Sequence, residues 1–362
     1  MRTLVVGDIH GCYKELLELL AKAQITDEDC LISLGDIVDR GADSVKVYDF
    51  LKNRPNTIVL MGNHERKHLR NTLSYSQEIV KLQFGDRYEE FLEWVSHLPY
   101  YHETPEAIMV HAAVENGIPI EKQAEEVLCG CTAGEKHLSK RYGNIYWTEL
   151  YNGEKPVIFG HHVVGGSPLI VEGKIYGIDT GACHGARLTG LVLPSFETFQ
   201  VQSSKDYWKE ELVKWQLPVM VAKPWKSYKW DKIKAICNDF KDSRHPELTA
   251  FLVKKEQWMN DLLSNAPKII LKVEEKLSEL ISLHGTDNFK KQARNFSYAP
   301  LLYKANSSGI TSDFLKQTLR SPYEWLQVMN ELGIEWGDKG MGRWGDGDKL
   351  FDNSLTSSPP NS

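Results

Sequence analysis

Five short hydrophobic runs in the first half of the chain each end in a group of Gly, Asp, Asn or His residues. The runs are TLVV (3–6), CLISL (30–34), TIVLM (57–61), AIMVHAA (107–113) and PVIFGHH (156–162). Short apolar runs of this kind are typical of buried strands, and a helical pattern of leucines follows the first run at 16–20. Strands that alternate with helical stretches predict an α/β fold.

The polar residues after these runs are rich in carboxylate and imidazole. In α/β sheets, ligands bind at the carboxyl ends of the strands, so side chains far apart in the sequence can meet there. Carboxylate, imidazole and amide without thiolate suit Mn, Fe or Zn, and there are too many such groups for one tetrahedral zinc. They suit two cations that share a bridging carboxylate, the usual machinery for hydrolysing phosphate esters. The candidate ligands are Asp8, His10, Asp36, Asn63, His111 and His161.

Composition divides the chain into two parts. It has 362 residues, of which 41% are hydrophobic, and a net charge of −6, which argues against general nucleic-acid binding. Residues 1–200 carry 19 Lys and Arg against 28 Asp and Glu, whereas the rest carries a small positive excess and eight of the ten Trp. This break predicts two modules.

Cysteine usage and hydropathy indicate the cellular compartment. Six cysteines in a chain of this length do not predict a disulfide framework, and we expect reduced thiols. No apolar run reaches membrane-spanning length, and the first residues contain no long apolar segment. We therefore expect a cytoplasmic protein with no membrane partner.

The motifs GDIHG (7–11), GDIVDRG (35–41), GNHE (62–65), a strand-end histidine (111) and FGH (159–161) resemble, in order and spacing, those of the phosphoprotein-phosphatase group of calcineurin-like metallophosphoesterases. Within that group the chain is similar to the bacterial and phage branch, which includes lambda phosphatase, the diadenosine-tetraphosphate hydrolases and RNA-repair phosphatase domains. The block YGIDTGACHGARLTGLVLP (176–194) resembles the closing motif of that branch. The resemblance covers roughly residues 1–202.

The resemblance implies a role for each candidate. Asp8 and His10 would bind the first metal, Asp36 would bridge, and the other three ligands would bind the second metal. His64 would protonate the leaving group, held in its protonated form by Asp39. Arg40 would bind the phosphoryl oxygens, since guanidinium matches that geometry.

The chain departs from the family at one phosphate-binding residue. Relatives carry a second phosphate-binding Arg upstream of the GH motif, often just after a Trp, but here Thr148 follows Trp147. We predict Arg141 as the replacement, with Arg187 as the weaker candidate.

The resemblance implies a sandwich of two mixed β-sheets flanked by helices over residues 1–202. A mostly helical, Trp- and Lys-rich extension is predicted over 203–350, and a disordered tail over 351–362. Within the extension, Gly285 is predicted to end a helix, and Ser321 and Pro322 to begin another. The extension is a candidate for protein docking.

These observations predict a metal-dependent hydrolase in which a metal-bound hydroxide attacks phosphorus directly. Two divalent ions are expected, Mn first, with Fe, Zn or Ni as alternatives. Protein phosphoserine or phosphothreonine is the first-choice substrate, because the GDIVDRG and GNHE motifs resemble those of the protein phosphatases. Dinucleoside tetraphosphates and RNA 2′,3′-phosphate ends are the alternatives.

Overall fold

The computed structural model describes residues 2–240 and 245–337. The chain divides into two compact units between Trp215 and Gln216. The first unit thus extends beyond residue 202, where the resemblance to known motifs ends. The segment after residue 202 belongs to this unit because it packs against it. Tyr207 is buried, and its hydroxyl donates to the Glu15 carboxylate at 2.8 Å. The Tyr75 hydroxyl donates to the Leu212 carbonyl at 2.9 Å.

The strands of the described residues all lie in the first unit and form two five-stranded sheets. One sheet has the order β10-β9-β1-β2-β3 and the other β4-β5-β6-β8-β7. The strands are β1 (Thr3–Val6), β2 (Cys30–Ser33), β3 (Thr57–Val59), β4 (Tyr101–Glu103), β5 (Ile108–Val110), β6 (Val157–Phe159), β7 (Leu169–Val171), β8 (Ile175–Gly177), β9 (Arg187–Leu193) and β10 (Glu197–Gln202).

Both sheets are mixed. In the first, β1, β2 and β3 run parallel, whereas β9 pairs antiparallel with β1 and β10 pairs antiparallel with β9. In the second, β5, β6 and β8 run parallel, and β4 and β7 pair antiparallel at the edges. The five hydrophobic runs of the sequence thus end on parallel strands, whose carboxyl ends lie at a common edge of each sheet.

The two sheets pack face to face. Val5 and Ile32 of the first sheet share a buried cluster with Met109 and Ile158 of the second. Because successive strand side chains point to opposite faces, Leu4, next to Val5, belongs to a different cluster on the outer face. Helices cover the outer faces, which explains why these strands read as continuous apolar runs.

The helices of the first unit follow the strands or the loops after them. They bury one face and expose the other. In α1, for example, Leu16 and Leu19 are buried against the first sheet, whereas Leu17 is exposed. The helices are α1 (Tyr13–Lys22), α2 (Ser44–Asn53), α3 (Asn63–Leu69), α4 (Tyr75–Phe84), α5 (Tyr88–Val95), α6 (Glu125–Leu128), α7 (Thr132–Tyr142), α8 (Trp147–Leu150) and α9 (Tyr207–Lys214).

The described residues of the second unit are helical and have their own core, which includes the buried Trp258 and Trp325. Gly285 interrupts the longest helix with a left-handed φ of 76°, and Ser321 caps the last helix through a reciprocal capping box with Glu324. The helices are α10 (Gln216–Ala222), α11 (Trp230–Asp239), α12 (Pro246–Leu263), α13 (Ala266–Ala293), α14 (Ala299–Ser308), α15 (Ser312–Thr318) and α16 (Pro322–Glu331).

The predicted architecture of two mixed sheets flanked by helices, followed by a helical C-terminal region, is confirmed. The predicted disordered tail at 351–362 lies outside the described residues. None of the described helices is both long and apolar enough to cross a bilayer. The cytoplasmic location stays a prediction.

Candidate metal centre and acid dyad

Asp36 lies at the middle of the predicted ligand set. It follows β2, and each of its carboxylate oxygens faces a different histidine. Oδ2 lies 3.6 Å from His10 Nε2, and Oδ1 lies 3.5 Å from His111 Nε2. Asp36 is shared by two groups of side chains whose potential ligand atoms lie within 4.8 Å of one another: His10, Asp36 and His64, and Asp36, His111 and His161. This is the position that a bridging carboxylate between two cations requires.

Backbone carbonyls orient the two histidines beside Asp36. His10 Nδ1 lies 2.8 Å from the Val38 carbonyl, and His111 Nδ1 lies 2.9 Å from the Leu34 carbonyl. A carbonyl can only accept, so each Nδ1 carries the proton and each Nε2 presents a lone pair toward Asp36. Burial lowers the pKa of both imidazoles. Both rings are therefore neutral, as metal ligands must be.

The Asn63 amide lies between the two histidines of the second group, His111 and His161. Its Oδ1 lies 3.1 Å from His111 Nε2 and 3.1 Å from His161 Nδ1. Asn63 is the first residue of α3 and follows β3 after a three-residue connection (60–62), so its amide lies at the same edge as Asp36. Burial lowers the pKa of His161 to about 2, which keeps this ring neutral. An amide oxygen and two neutral imidazoles form a donor set without added negative charge.

Asp8 joins the cluster through the backbone of His161. The His161 N–H donates to Asp8 Oδ1 at 3.0 Å and Oδ2 at 3.2 Å. Burial, then the nearby Asp179 and Asp36 carboxylates, raises the pKa of Asp8 well above its usual value. Buried carboxylates close to one another repel, and bound divalent cations relieve such repulsion. The donor set therefore fits the two cations predicted from the sequence.

His64 and Asp39 form a buried pair beside this cluster. His64 Nδ1 lies 2.5 Å from Asp39 Oδ2, while His64 Nε2 faces Asp36 Oδ2 at 3.8 Å. Burial alone would raise the pKa of Asp39, but the His68 and His64 imidazoles outweigh it and the pKa lies below the usual range. The carboxylate is thus ionised and accepts a hydrogen bond from His64 Nδ1, and His64 Nε2 points at the cluster.

Three residues around this pair were missed in the sequence: His68 and Gln77 contact Asp39, and Tyr88 contacts His68. His68 Nε2 lies 3.1 Å from Asp39 Oδ1, and His68 Nδ1 lies 2.8 Å from the Tyr88 hydroxyl. Gln77 also donates its side-chain amide to Asp39. His68 stands four residues after His64 on α3, the spacing that places two side chains on one helix face. That spacing is the signal by which His68 could have been found.

Of the three arginines predicted as phosphate ligands, the structure brings Arg40 to the cluster. Its guanidinium nitrogens lie 3.2 Å from His10 Nε2 and 3.1 Å from His64 Nε2. It is also hydrogen-bonded to the Cys183 thiol, a second contact that the sequence did not reveal.

Arg141 and Arg187 are engaged elsewhere. Arg141 lies at the end of α7, where it pairs with Glu115 at 2.9 Å and lies over the Tyr142 ring. Arg187 donates to the Gly166 carbonyl at 2.5 Å. The geometry thus gives no support to the prediction that Arg141 replaces the second phosphate-binding arginine.

The backbone at this site is unusual. Among the described residues, nine that are not glycine have a positive φ, and five of these are predicted site residues: His10, Asp36, Asp39, Arg40 and His161. Left-handed backbone is costly for such residues and concentrates at functional sites. Gly160 shows how tightly the loops meet, because a Cβ there would lie 2.1 Å from Asp8 Oδ1.

We predict that Asp36→Asn lowers metal occupancy at both positions, because the amide removes the negative charge and one of the two oxygen donors shared by both groups. Elemental analysis after gel filtration measures the metal content. Asp27→Asn is the matched control, since the Asp27 side chain is 81% exposed. Two tightly bound ions in Asp36→Asn would contradict the bridging role.

Comparison with known proteins gives an independent identification. Residues 1–165 match the model of the calcineurin-like phosphoesterase family. The asymmetrical bis(5′-nucleosyl)-tetraphosphatases PrpE of Bacillus cereus and Bacillus mycoides are each 30% identical to the chain in an alignment 250 residues long, gaps included, that covers 58% of this chain and 98% of theirs. A Saccharomyces cerevisiae serine/threonine phosphatase similar to human PP5 superposes with a TM-score of 0.41 and 15% identity, over 57% of this chain and 81% of that one. Since the match to the two relatives spans almost their whole length, the chain belongs to the calcineurin-like phosphoesterase family and is a hydrolase of phosphate esters.

Proposed function

We propose that the chain hydrolyses dinucleoside tetraphosphates. The observation that carries this proposal is the 30% identity over 98% of the length of relatives named as asymmetrical bis(5′-nucleosyl)-tetraphosphatases. The first-choice prediction, protein phosphoserine or phosphothreonine, rested on motifs that the whole group shares. The relatives therefore favour the alternative prediction over the first choice.

The predicted ligands divide between two cations. His10 and Asp8 would hold one, Asn63, His111 and His161 the other, and Asp36 both. Mn²⁺ is the cation we propose, with Fe, Zn or Ni as alternatives, because the donors are carboxylate, amide and neutral imidazole without thiolate. When bound, two such ions polarise the phosphoryl oxygens and make a water molecule acidic enough to attack near neutral pH.

The chain's own residues supply positioning and a proton. Arg40 binds a phosphoryl oxygen beside the cluster, at the side where His10 and His64 meet its guanidinium. His64 donates the proton on Nε2 to the leaving oxygen, while Nδ1 stays hydrogen-bonded to Asp39. The Asp39 carboxylate is held in turn by His68, which is fixed by the Tyr88 hydroxyl. The acid is thus oriented by a chain of buried hydrogen bonds.

The need for this proton depends on the substrate. An alkoxide leaves poorly unless an acid protonates it. A nucleotide leaves as a phosphate oxygen, which is weakly basic because phosphate groups lose their second proton near pH ~6. The acid dyad therefore matters more for a phosphoserine ester than for a dinucleoside tetraphosphate.

The proposal is tested by hydrolysis of three substrates side by side, with Mn²⁺ and with a chelator. The substrates are diadenosine tetraphosphate, a phosphothreonine peptide and an RNA 2′,3′-cyclic phosphate. We expect diadenosine tetraphosphate to have a kcat/KM at least about tenfold above the others, with asymmetrical cleavage and loss of activity in the chelator. A higher kcat/KM for the peptide would restore the first-choice prediction.

We predict that His64→Asn lowers kcat for alkyl phosphate esters by about 10²–10⁴-fold, the usual contribution of a general acid. Turnover of p-nitrophenyl phosphate and diadenosine tetraphosphate should fall less, because their leaving groups need less protonation. His97→Asn is the control, since His97 is exposed in the turn after α5. An equal loss on good and poor leaving groups would rule out the acid role.

We predict that His68→Leu lowers kcat for alkyl phosphate esters by about tenfold, in the range found when an outer hydrogen-bond partner is removed. His68→Gln, which can still donate to Asp39, should recover most of the loss. KM should change little, because His68 acts through Asp39. A parallel loss in both variants, or an effect on KM alone, would show that His68 only supports the fold.

A further inference from the structure

A cavity of about 390 Å³ opens beside the metal centre, within the first unit. Its volume falls in the range of roughly 300–1,000 Å³ that is usual for small-molecule sites. The walls come from α7, α8 and the loops after β5 and β6. We call it the aromatic pocket, and its defining residues are Leu138, Tyr142, Tyr146, Trp147, His161 and His162.

His161 separates the aromatic pocket from the metal centre. Its Nδ1 lies 3.1 Å from Asn63 Oδ1 on the metal side. Its Nε2 lies 3.3 Å from Glu135 Oε1, and Glu135 lines the pocket. The two sites therefore share one imidazole ring. A molecule with a phosphate at the metals can place its adjoining group in the pocket.

The negative charge of Glu135 makes the pocket unfavourable for a phosphate and suitable for a neutral group. None of the described residues that line it is Lys or Arg, and Glu135 contributes a carboxylate. A phosphate placed there would face that carboxylate, and Arg141, which lies over the Tyr142 ring, is already paired with Glu115. The phosphates of a substrate are therefore confined to the metal side of His161, where Arg40 and the cations lie.

The aromatic side chains in the walls of the pocket favour a flat aromatic ligand. Tyr142, Tyr146 and Trp147 line the pocket, but Trp147 is buried and Arg141 lies over the Tyr142 ring. The partly exposed Tyr146 ring is therefore the surface on which a base can stack, and such stacking does not depend on which base it is. The Tyr146 ring is oriented in advance, because its hydroxyl lies 2.8 Å from His162 Nδ1. A ring that is already held in place loses little conformational freedom when a base stacks on it.

We propose that the aromatic pocket binds the nucleobase of a nucleotide whose phosphate lies at the metal centre. This inference rests on the proposed function and assigns it a substrate-selecting subsite. Tyr146 is the stacking surface, and His162 fixes its orientation. A phosphoserine or phosphothreonine side chain has no planar group to fill this cavity.

The test compares two ligands that differ by the base alone. Adenosine monophosphate and ribose 5-phosphate carry the same phosphorylated sugar, and calorimetry on the full-length protein loaded with Mn²⁺ gives their Kd values without requiring turnover. We expect adenosine monophosphate to bind at least about tenfold more tightly, the contribution of one stacked base. Tyr146→Ser should remove this difference, whereas Tyr146→Phe should retain most of it.

Tyr323→Ser is the matched control, since Tyr323 is 62% exposed on α16 in the second unit and should leave both Kd values unchanged. The ratio of kcat/KM for diadenosine tetraphosphate to that for p-nitrophenyl phosphate should also fall about tenfold in Tyr146→Ser. Equal Kd values for the two ligands, or a Tyr146→Ser variant that keeps the difference, would overturn the subsite. So would tighter, Tyr146-dependent binding of a phosphothreonine peptide.

The outcomes separate the subsite from the proposed function. Base-dependent binding that requires Tyr146, without hydrolysis of diadenosine tetraphosphate, would refute the proposed function and keep the nucleotide subsite. Hydrolysis of diadenosine tetraphosphate that is indifferent to Tyr146 would keep the function and refute the subsite.

Discussion

The need to compensate buried negative charge governs the first unit. Four aspartates at the functional edge are almost completely buried: Asp8, Asp36, Asp39 and Asp179. An isolated buried carboxylate is strongly unfavourable. The loops that follow the strands therefore have to bring donors or cations to each of them, and the arrangement of the site follows from how this is done.

The four carboxylates are compensated in different ways. Asp39 receives hydrogen bonds from two imidazoles and the Gln77 amide, and its pKa is lowered without a metal. The pKa of Asp8 and of Asp179 is raised instead, for Asp179 to about 6, with burial as the main cause. Burial alone would raise the pKa of Asp36, but the surrounding imidazoles, His111 first, hold it below the usual range. The protein's own side chains thus stabilise the charges of Asp36 and Asp39, whereas the carboxyl groups of Asp8 and Asp179 lack such compensation and would be stabilised by cations bound nearby.

The proposed chemistry and the proposed substrate selectivity belong to different parts of the first unit. The candidate metal ligands and the proposed acid pair follow directly from strands or begin the helix after a strand, so the two packed sheets set their positions. The aromatic pocket is formed mainly by α7 and α8, which lie between β5 and β6. Loops and short helices on a rigid sheet scaffold can change without disturbing the scaffold. Enzymes with the same metal centre can therefore differ in substrate through this segment.

The sequence by itself determined the fold class and the six candidate ligands. Hydrophobic runs that end in Asp, Asn or His indicate strand ends, and parallel strands carry their ends to one edge. The sequence also indicated the helix break at Gly285 and the cap at Ser321, because these depend on local backbone conformation and local hydrogen bonds. Such features depend on neighbours in the chain and are visible in the order of the residues.

Only the tertiary structure decided which side chains meet across distant elements. His68 contacts Asp39 because α3 is buried against the loop after β2, and Arg141 pairs with Glu115 because of where α7 ends. The first unit continues to Trp215 because Tyr207 reaches the buried Glu15 on α1, almost two hundred residues earlier. The aromatic pocket arises where the ring-bearing segment at 142–147 meets His161 and His162. Contacts of this kind depend on how elements pack. The four-residue spacing of His64 and His68 places both on one face of α3, but it does not specify Asp39 as their partner.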